Sequence, residues 1–295
     1  MVMIFQLVTA ILWAFFLTFS SVIYLMVLYV LVRYRKILTS SFYQLITWLG
    51  VVDVLCLMYF FVCYAVVIVF SEDQRRNSPW GATVYQMSTF WLYYAQLIGN
   101  LLVAVNRFTA VLTPFRHQKY WHKKTAAAIV CMYLLPLIYI LPMLLPAGRS
   151  SYDDQMRVVF EPNSTAEIVY QIVGFAVEQF LVAPFILLTY TVICAAMVRG
   201  GAKKNKVKPT TKEAKKKIKE TKNEYRMALV GGAIACGFEL NELTYFLTVF
   251  VDPIFSLFAF YSWGLFTVIN PYLLLMFSVD VRNYFKGSFC CQGQQ

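Results

Sequence analysis

What most constrains this chain is the alternation of seven long apolar runs, at about residues 2–32, 42–70, 81–105, 125–145, 167–198, 227–250 and 254–278, with short segments that hold nearly all of its charge. A run of ~20 apolar residues is what a helix needs to cross the hydrocarbon of a bilayer. Lipid offers no partner to a backbone N–H or C=O, so each run must satisfy its own backbone as a helix. The alternating short strands of a membrane barrel are not seen. The expected fold is therefore all-α: a seven-transmembrane helix bundle forming one membrane domain over residues 1–295. With 60% hydrophobic and 14% charged residues, the chain has more apolar side chains than one soluble core accommodates, which excludes a soluble enzyme. The basic residues sit between the apolar runs, so no nucleic-acid partner is expected. The first run is too long for the apolar part of a cleavable signal peptide and should remain as the first helix.

Charge placement orients the bundle. Of 26 Lys and Arg, 22 fall in one alternate set of connections and four, Arg75, Arg76, Arg149 and Arg157, in the other. The basic side faces the cytoplasm by the positive-inside rule. The N-terminus then lies outside, the C-terminus inside and the 146–166 segment outside, where Asn163-Ser164-Thr165 forms a glycosylation sequon. The 199–226 segment carries 12 basic residues against Glu213, Glu220 and Glu224. It serves either as a solvated loop that enforces topology or as a contact with anionic lipid. After the seventh run, Val281, Phe285 and Phe289 recur every four residues, predicting a short amphipathic tail over 279–291 along the inner leaflet. Cys290 and Cys291 follow as candidates for reversible palmitoylation, or else as two free thiols. The other five cysteines lie inside apolar runs, and no structural disulfide is expected.

The third run ends in Asn106-Arg107-Phe108-Thr109-Ala110-Val111-Leu112-Thr113-Pro114. An Arg at a helix end either snorkels to water as an ordinary anchor or meets a polar partner within the bundle as a latch. Pro114 stops or kinks the helix beyond it. In the second run Asp53 stands near the bilayer centre, where an ionised carboxylate is costly without company. The seventh run contains Asn270-Pro271.

Arg107, Val111 and Pro114, with Leu49 and Asp53, Asn270-Pro271, and Arg282 and Phe285, stand in the order and helices of rhodopsin-like G-protein-coupled receptors, which the chain resembles. Asn106 replaces that class's acid and Phe108 its Tyr. The usual extracellular disulfide cannot form, the sixth run has no proline from Arg226 to Val251, Leu274 replaces a Tyr, and the first run lacks the expected Asn between Ser20 and Leu28. Asn106-Arg107-Phe108-Thr109-Ala110, Pro114, Lys119-Tyr120-Trp121, Asn270-Pro271-Tyr272-Leu273-Leu274-Leu275 and Ser278 are similar instead to the nematode serpentine chemoreceptors, nearest the Srg and Srv families. The resemblance implies that Arg107 helps hold the inactive state and meets a heterotrimeric G protein once the sixth helix swings outward. It also implies partners for Asp53 in Asn270 and in Gln96 or Asn100. That cluster holds water, a proton or sodium, or else a protonated Asp53 with no ion. Further implications are a small-molecule ligand, membrane lipid as surroundings, a multi-pass protein of the plasma membrane in sensory neurons, and compatibility with a receptor oligomer.

More acids lie within the apolar runs: Glu178 beside Gln179 in the fifth, Glu239 and Glu242 in the sixth. Counted from the outer ends at ~1.5 Å per residue, Glu178 and Glu239 are both roughly 15 Å deep. With Asn241 and Tyr245 nearby and Tyr93 and Trp263 as aromatic walls, two or three carboxyls in one cavity would favour a cationic ligand or a proton. The alternative is neutral carboxyls hydrogen-bonded between helices. Most of the aromatics are expected at lipid or interface.

His117 and His122 are the only histidines, and no catalytic set, cofactor motif or metal site emerges. Residues 254–278 contain no Lys for a retinal Schiff base. The reading is a chemosensory G-protein-coupled receptor; the alternative is a transporter or ion-coupled carrier that uses the intramembrane acids.

Overall fold

A computed structural model describes residues 2–69, 80–144, 150–152, 158–160, 177, 181–204, 230–237, 240–241, 243–244 and 255–289. Its helices are α1 (Val2–Arg33), α2 (Ser41–Val69), α3 (Gly81–Leu112), α4 (Pro114–Ile140), α5 (Ala183–Lys204), α6 (residues 230–237), α7 (Phe255–Phe277) and α8 (Val279–Phe289). Among the described residues, four helices, within α1 to α4, are long and apolar enough to cross a membrane, and α7 with α8 adds a fifth, bent candidate. A shorter apolar helix runs through Ala183–Ala196.

The described residues are helical as expected, with one short strand pair beside the helices. Ser150–Tyr152 pairs antiparallel with Val158–Phe160, and this two-stranded hairpin packs on α3. Strands of three residues are too short to show a periodicity in sequence.

The helices sort their side chains by the solvent they meet. On α1, Ile11, Phe15, Phe19, Val22, Leu25, Tyr29 and Val32 form one exposed stripe at spacings of three and four, whereas Leu17, Ser20, Tyr24, Val27 and Leu31 are buried. An exposed stripe this apolar suits lipid, not water. The centre of the bundle is α3, which packs against α2, α4 and α5. Its buried face carries Gln96, Asn100, Asn106 and Arg107 beside Ala95, Gly99, Val103 and Ala104. Small residues bring the neighbouring helices close, and polar ones need partners once there.

Two junctions are explained by the residues that stand at them. Thr113, at φ −132° and ψ 59°, leaves the helical region because a residue before proline is pushed from it. Pro114 then opens α4 at its first position, where a missing N–H costs nothing. The basic stretch up to Lys124 is therefore helical, ahead of the apolar part of the fourth run. At the other junction α7 and α8 meet at 93°. Ser278 is buried there, its Oγ accepting from the Val281 N–H at 3.3 Å and bonding the Tyr43 hydroxyl at 3.1 Å. This serine both caps α8 and ties the turn to α2. Asp280 in the first turn of α8 and Lys286 in its last complement the helix dipole.

Helices α5 and α6 approach through Tyr190 and Gly231. A Cβ on Gly231 would stand 2.2 Å from the Tyr190 hydroxyl and 2.5 Å from its Cε1, so the whole ring, not a flexible tip, would have to move. Gly231→Ala should lower the stability of the purified protein by ~1–3 kcal/mol, measured by thermal unfolding in lipid nanodiscs. The loss should be largely absent on a Tyr190→Ala background, and an equal loss there would show that this contact is not its cause.

Candidate functional site

Asp53 on α2 is fully buried. Its Oδ1 accepts from the Gln96 amide of α3 at 2.6 Å. Its Oδ2 accepts from the Asn270 amide of α7 at 2.6 Å and from the Tyr24 hydroxyl of α1. One carboxyl thus collects donors from three other helices. Taking a carboxyl out of water without such partners costs several kcal/mol, roughly the stability of a whole domain.

Gln96 is also fully engaged. Its second amide hydrogen reaches the Thr267 Oγ1 at 3.2 Å, and its Oε1 accepts from the Trp263 indole N–H at 2.7 Å. Asn100 lies one turn on, buried, and donates to the Gln96 carbonyl at 2.8 Å instead of reaching Asp53. Pro271 lies within α7 and lacks the N–H that would otherwise bond the Thr267 carbonyl, a local weakness beside the cluster.

Two groups that were separate in the sequence, the Asp53 cluster and the aromatic wall, are therefore one. Trp263 stacks edgewise on Tyr93 at 6.2 Å and on Phe60 at 5.0 Å, and its ring N–H enters the polar core. Nearby, Ser262 of α7 donates to the Asn241 Oδ1 at 3.0 Å and bonds the Thr244 hydroxyl at 2.7 Å. Of the other expected pocket residues, Glu178, Gln179, Glu239, Glu242 and Tyr245 lie outside the described residues, as do Asn163, Cys290 and Cys291 and most of the 199–226 segment.

At the far end of α3, Asn106 and Arg107 are buried. The Asn106 amide donates to the Ser41 Oγ, at the start of α2, at 2.7 Å. Arg107 lays its guanidinium 3.6 Å from the centre of the Phe42 ring, a cation–π contact in a desolvated setting. It turns inward rather than snorkelling to water. Phe108 and Val111 pack against the core, and Pro114 fixes the break beyond them. Thr109 gathers the junction: its Oγ1 accepts from the Trp121 indole N–H at 2.8 Å and contacts the His117 Nδ1 at 3.0 Å.

Tyr24, Thr267, Ser41, Phe42 and Trp121 were not singled out in the sequence as parts of these sites. Tyr24 had a signal: it stands midway along the first run, in the interval where the rhodopsin-like class has its Asn. Thr267 and Ser41 had none, since a hydroxyl in or beside an apolar run usually bonds its own helix.

The sequence profile of the family described as "Serpentine type 7TM GPCR chemoreceptor Srv" matches residues 13–291. The Caenorhabditis elegans protein named "Serpentine receptor class gamma-31" is 21% identical over 231 residues, covering 74% of this chain and 68% of its own. The C. elegans "Serpentine receptor class V-1" is 26% identical over 140 residues, covering 46% of this chain and 42% of its own. The profile extends over all four helices that meet at Asp53, and on that match the chain belongs to the Srv family of serpentine seven-transmembrane GPCR chemoreceptors.

Proposed function

We propose that this chain is a chemosensory receptor that binds a small molecule in the outer half of its bundle and activates a heterotrimeric G protein on its cytoplasmic side. In this reading seven helices cross the plasma membrane, with the N-terminus outside and the Arg107 end of α3 facing the cytosol. The family supports the receptor class, one of chemoreceptors and not of enzymes. The observation that carries the mechanism is the unbroken hydrogen-bond path from Trp263 through Gln96 to Asp53, and from there to Tyr24 and Asn270.

A ligand acts on such a bundle only through its differential affinity for two conformers. Trp263 is the member of the path that meets the aromatic wall, so a ligand displacing Tyr93 or the indole perturbs the Gln96 carbonyl. Gln96 passes the change to Asp53, where α1, α2, α3 and α7 are joined. Asp53 works as a structural junction in this scheme: three donors satisfy its oxygens, leaving a bound ion little to add. The acids Glu178, Glu239 and Glu242, with Gln179 and Tyr245, provide the ligand's polar contacts and favour a cationic or amine-bearing molecule.

At the cytoplasmic end, Asn106 on Ser41 and Arg107 on Phe42 hold α3 against α2 in the inactive state, and activation frees Arg107 for the G protein. Asn106 is uncharged and its Oδ1 is buried without a hydrogen bond, so this latch is weaker than one made by an acid.

The test is nucleotide exchange on a co-expressed G protein, with a screen of volatile and soluble chemicals as input. A stimulating chemical should accelerate exchange, and Arg107→Ala should abolish that response while leaving ligand binding intact. Uptake of the chemical into receptor vesicles with no effect on exchange would instead make the protein a carrier. Asn106→Asp should lower basal exchange and raise the ligand concentration needed, because an acid pairs with Arg107; unchanged basal activity and response would refute the latch. Trp263→Phe keeps a ring but leaves the Gln96 carbonyl unsatisfied, at ~1–3 kcal/mol. It should shift the ligand response by about tenfold with its maximum retained, and a wild-type dose response would remove Trp263 from the path.

A further inference from the structure

Between the lower half of α1 and the end of α8 runs an open groove of about 410 Å³. Val22, Leu25 and Met26 line its apolar length, and Tyr29, Arg33 and Ser288 its polar end. Nothing in the receptor mechanism uses it. We propose that this groove is a binding site for one anionic phospholipid, with an acyl chain along α1 and the phosphate on Arg33.

Length is the first argument. Val22 lies eleven residues before Arg33, so the groove extends ~16 Å along the helix at ~1.5 Å per residue. Half of a ~30 Å hydrocarbon core is ~15 Å, the depth of one leaflet. The groove thus reaches from headgroup level to the bilayer midplane, as a single lipid does. Orientation agrees, because α8 turns 93° from α7 and lies along the interface at the level of Arg33.

Charge is the second argument. Arg33 is exposed at the end of α1, and its guanidinium is held in place by a hydrogen bond to the Tyr29 hydroxyl and by the Tyr29 and Tyr34 rings, at 5.6 and 5.9 Å. A guanidinium so fixed presents its remaining donors as a fork suited to a phosphate. Arg35 and Lys36 follow, both exposed, and Lys286 stands exposed on α8. The only acid of α8, Asp280, is in its first turn, at the end away from Ser288. The local field therefore favours a net negative headgroup over a zwitterionic one.

The walls are braced. Tyr34 stacks on Tyr284 at 4.4 Å and its hydroxyl bonds the Ser288 Oγ at 3.3 Å, while Tyr29 meets Phe289 at 5.9 Å. A groove held open on both sides binds without first having to order itself.

The test is native mass spectrometry of the full-length protein, purified from nanodiscs that contain equal phosphatidylserine and phosphatidylcholine. Wild type should retain one phosphatidylserine in preference to phosphatidylcholine. Arg33→Gln should reduce that preference by about fivefold, the factor expected for one basic residue near the headgroups. Leu25→Trp, which fills the apolar length from a lipid-facing position, should reduce retention of both lipids, and both variants should keep the wild-type melting temperature. An unchanged preference in Arg33→Gln, or retention unaffected by Leu25→Trp, would overturn the assignment. So would finding the groove filled by a thioester-linked chain that disappears in a Cys290→Ser, Cys291→Ser variant.

Discussion

The bundle depends on how a carboxyl group is accommodated in hydrocarbon. Asp53 is fully buried, and its hydrogen bonds come from other helices: Tyr24 from α1, Gln96 from α3 and Asn270 from α7. In a membrane the hydrophobic effect does not drive helices together, because lipid tails are as apolar as leucine. Close packing around small residues and shared hydrogen bonds decide which helices meet. A single acid with three donors ties four helices together at one point, and close packing at Gly50 and Gly99 surrounds it.

The same constraint explains why the interior of α3 is its most polar face. Gln96, Asn100, Asn106 and Arg107 all point inward, and three of these side chains are joined by hydrogen bond or ring contact to α2. At one end the polar path terminates on Trp263, an amphipathic ring with one side apolar and one N–H donor. At the other end of α3 it gives way to Arg107 over Phe42. Between the two, Pro271 weakens α7 beside the cluster. The result is a polar junction at the centre, with the Trp263 indole at one end of the path and the Arg107 guanidinium on Phe42 at the other.

Much of this was legible in the sequence because membranes make strong signals. The apolar runs and Asp53 stood out, since an acid inside such a run is costly and must have a partner, and the family resemblance pointed to Asn270 as that partner. Pro114 marked the break that falls at Thr113. Other features carried no such mark. Hydropathy reports where hydrocarbon begins rather than where a helix does, so the start of α4 at Pro114, ahead of the fourth apolar run, was not visible. Among 20 tyrosines, Tyr24 differed only in its place midway along the first run, since ring and hydroxyl otherwise suit an interface as well as a core. The Phe42 ring under Arg107 and the Ser41 partner of Asn106 arise only when α2 and α3 are placed side by side. The pairing of 150–152 with 158–160 arises from contact, not from pattern.

The most direct test of this account is a double-mutant cycle on the two donors that share one Asp53 oxygen, measured as unfolding free energy in lipid nanodiscs. Tyr24→Phe removes only a hydroxyl and Asn270→Ala only the amide, and each should cost ~1–3 kcal/mol. Because both act on the same carboxyl, their effects should be coupled by at least ~0.5 kcal/mol. Two losses that simply add would mean that Asp53 does not join α1 to α7, and the central junction proposed for the receptor would have no basis.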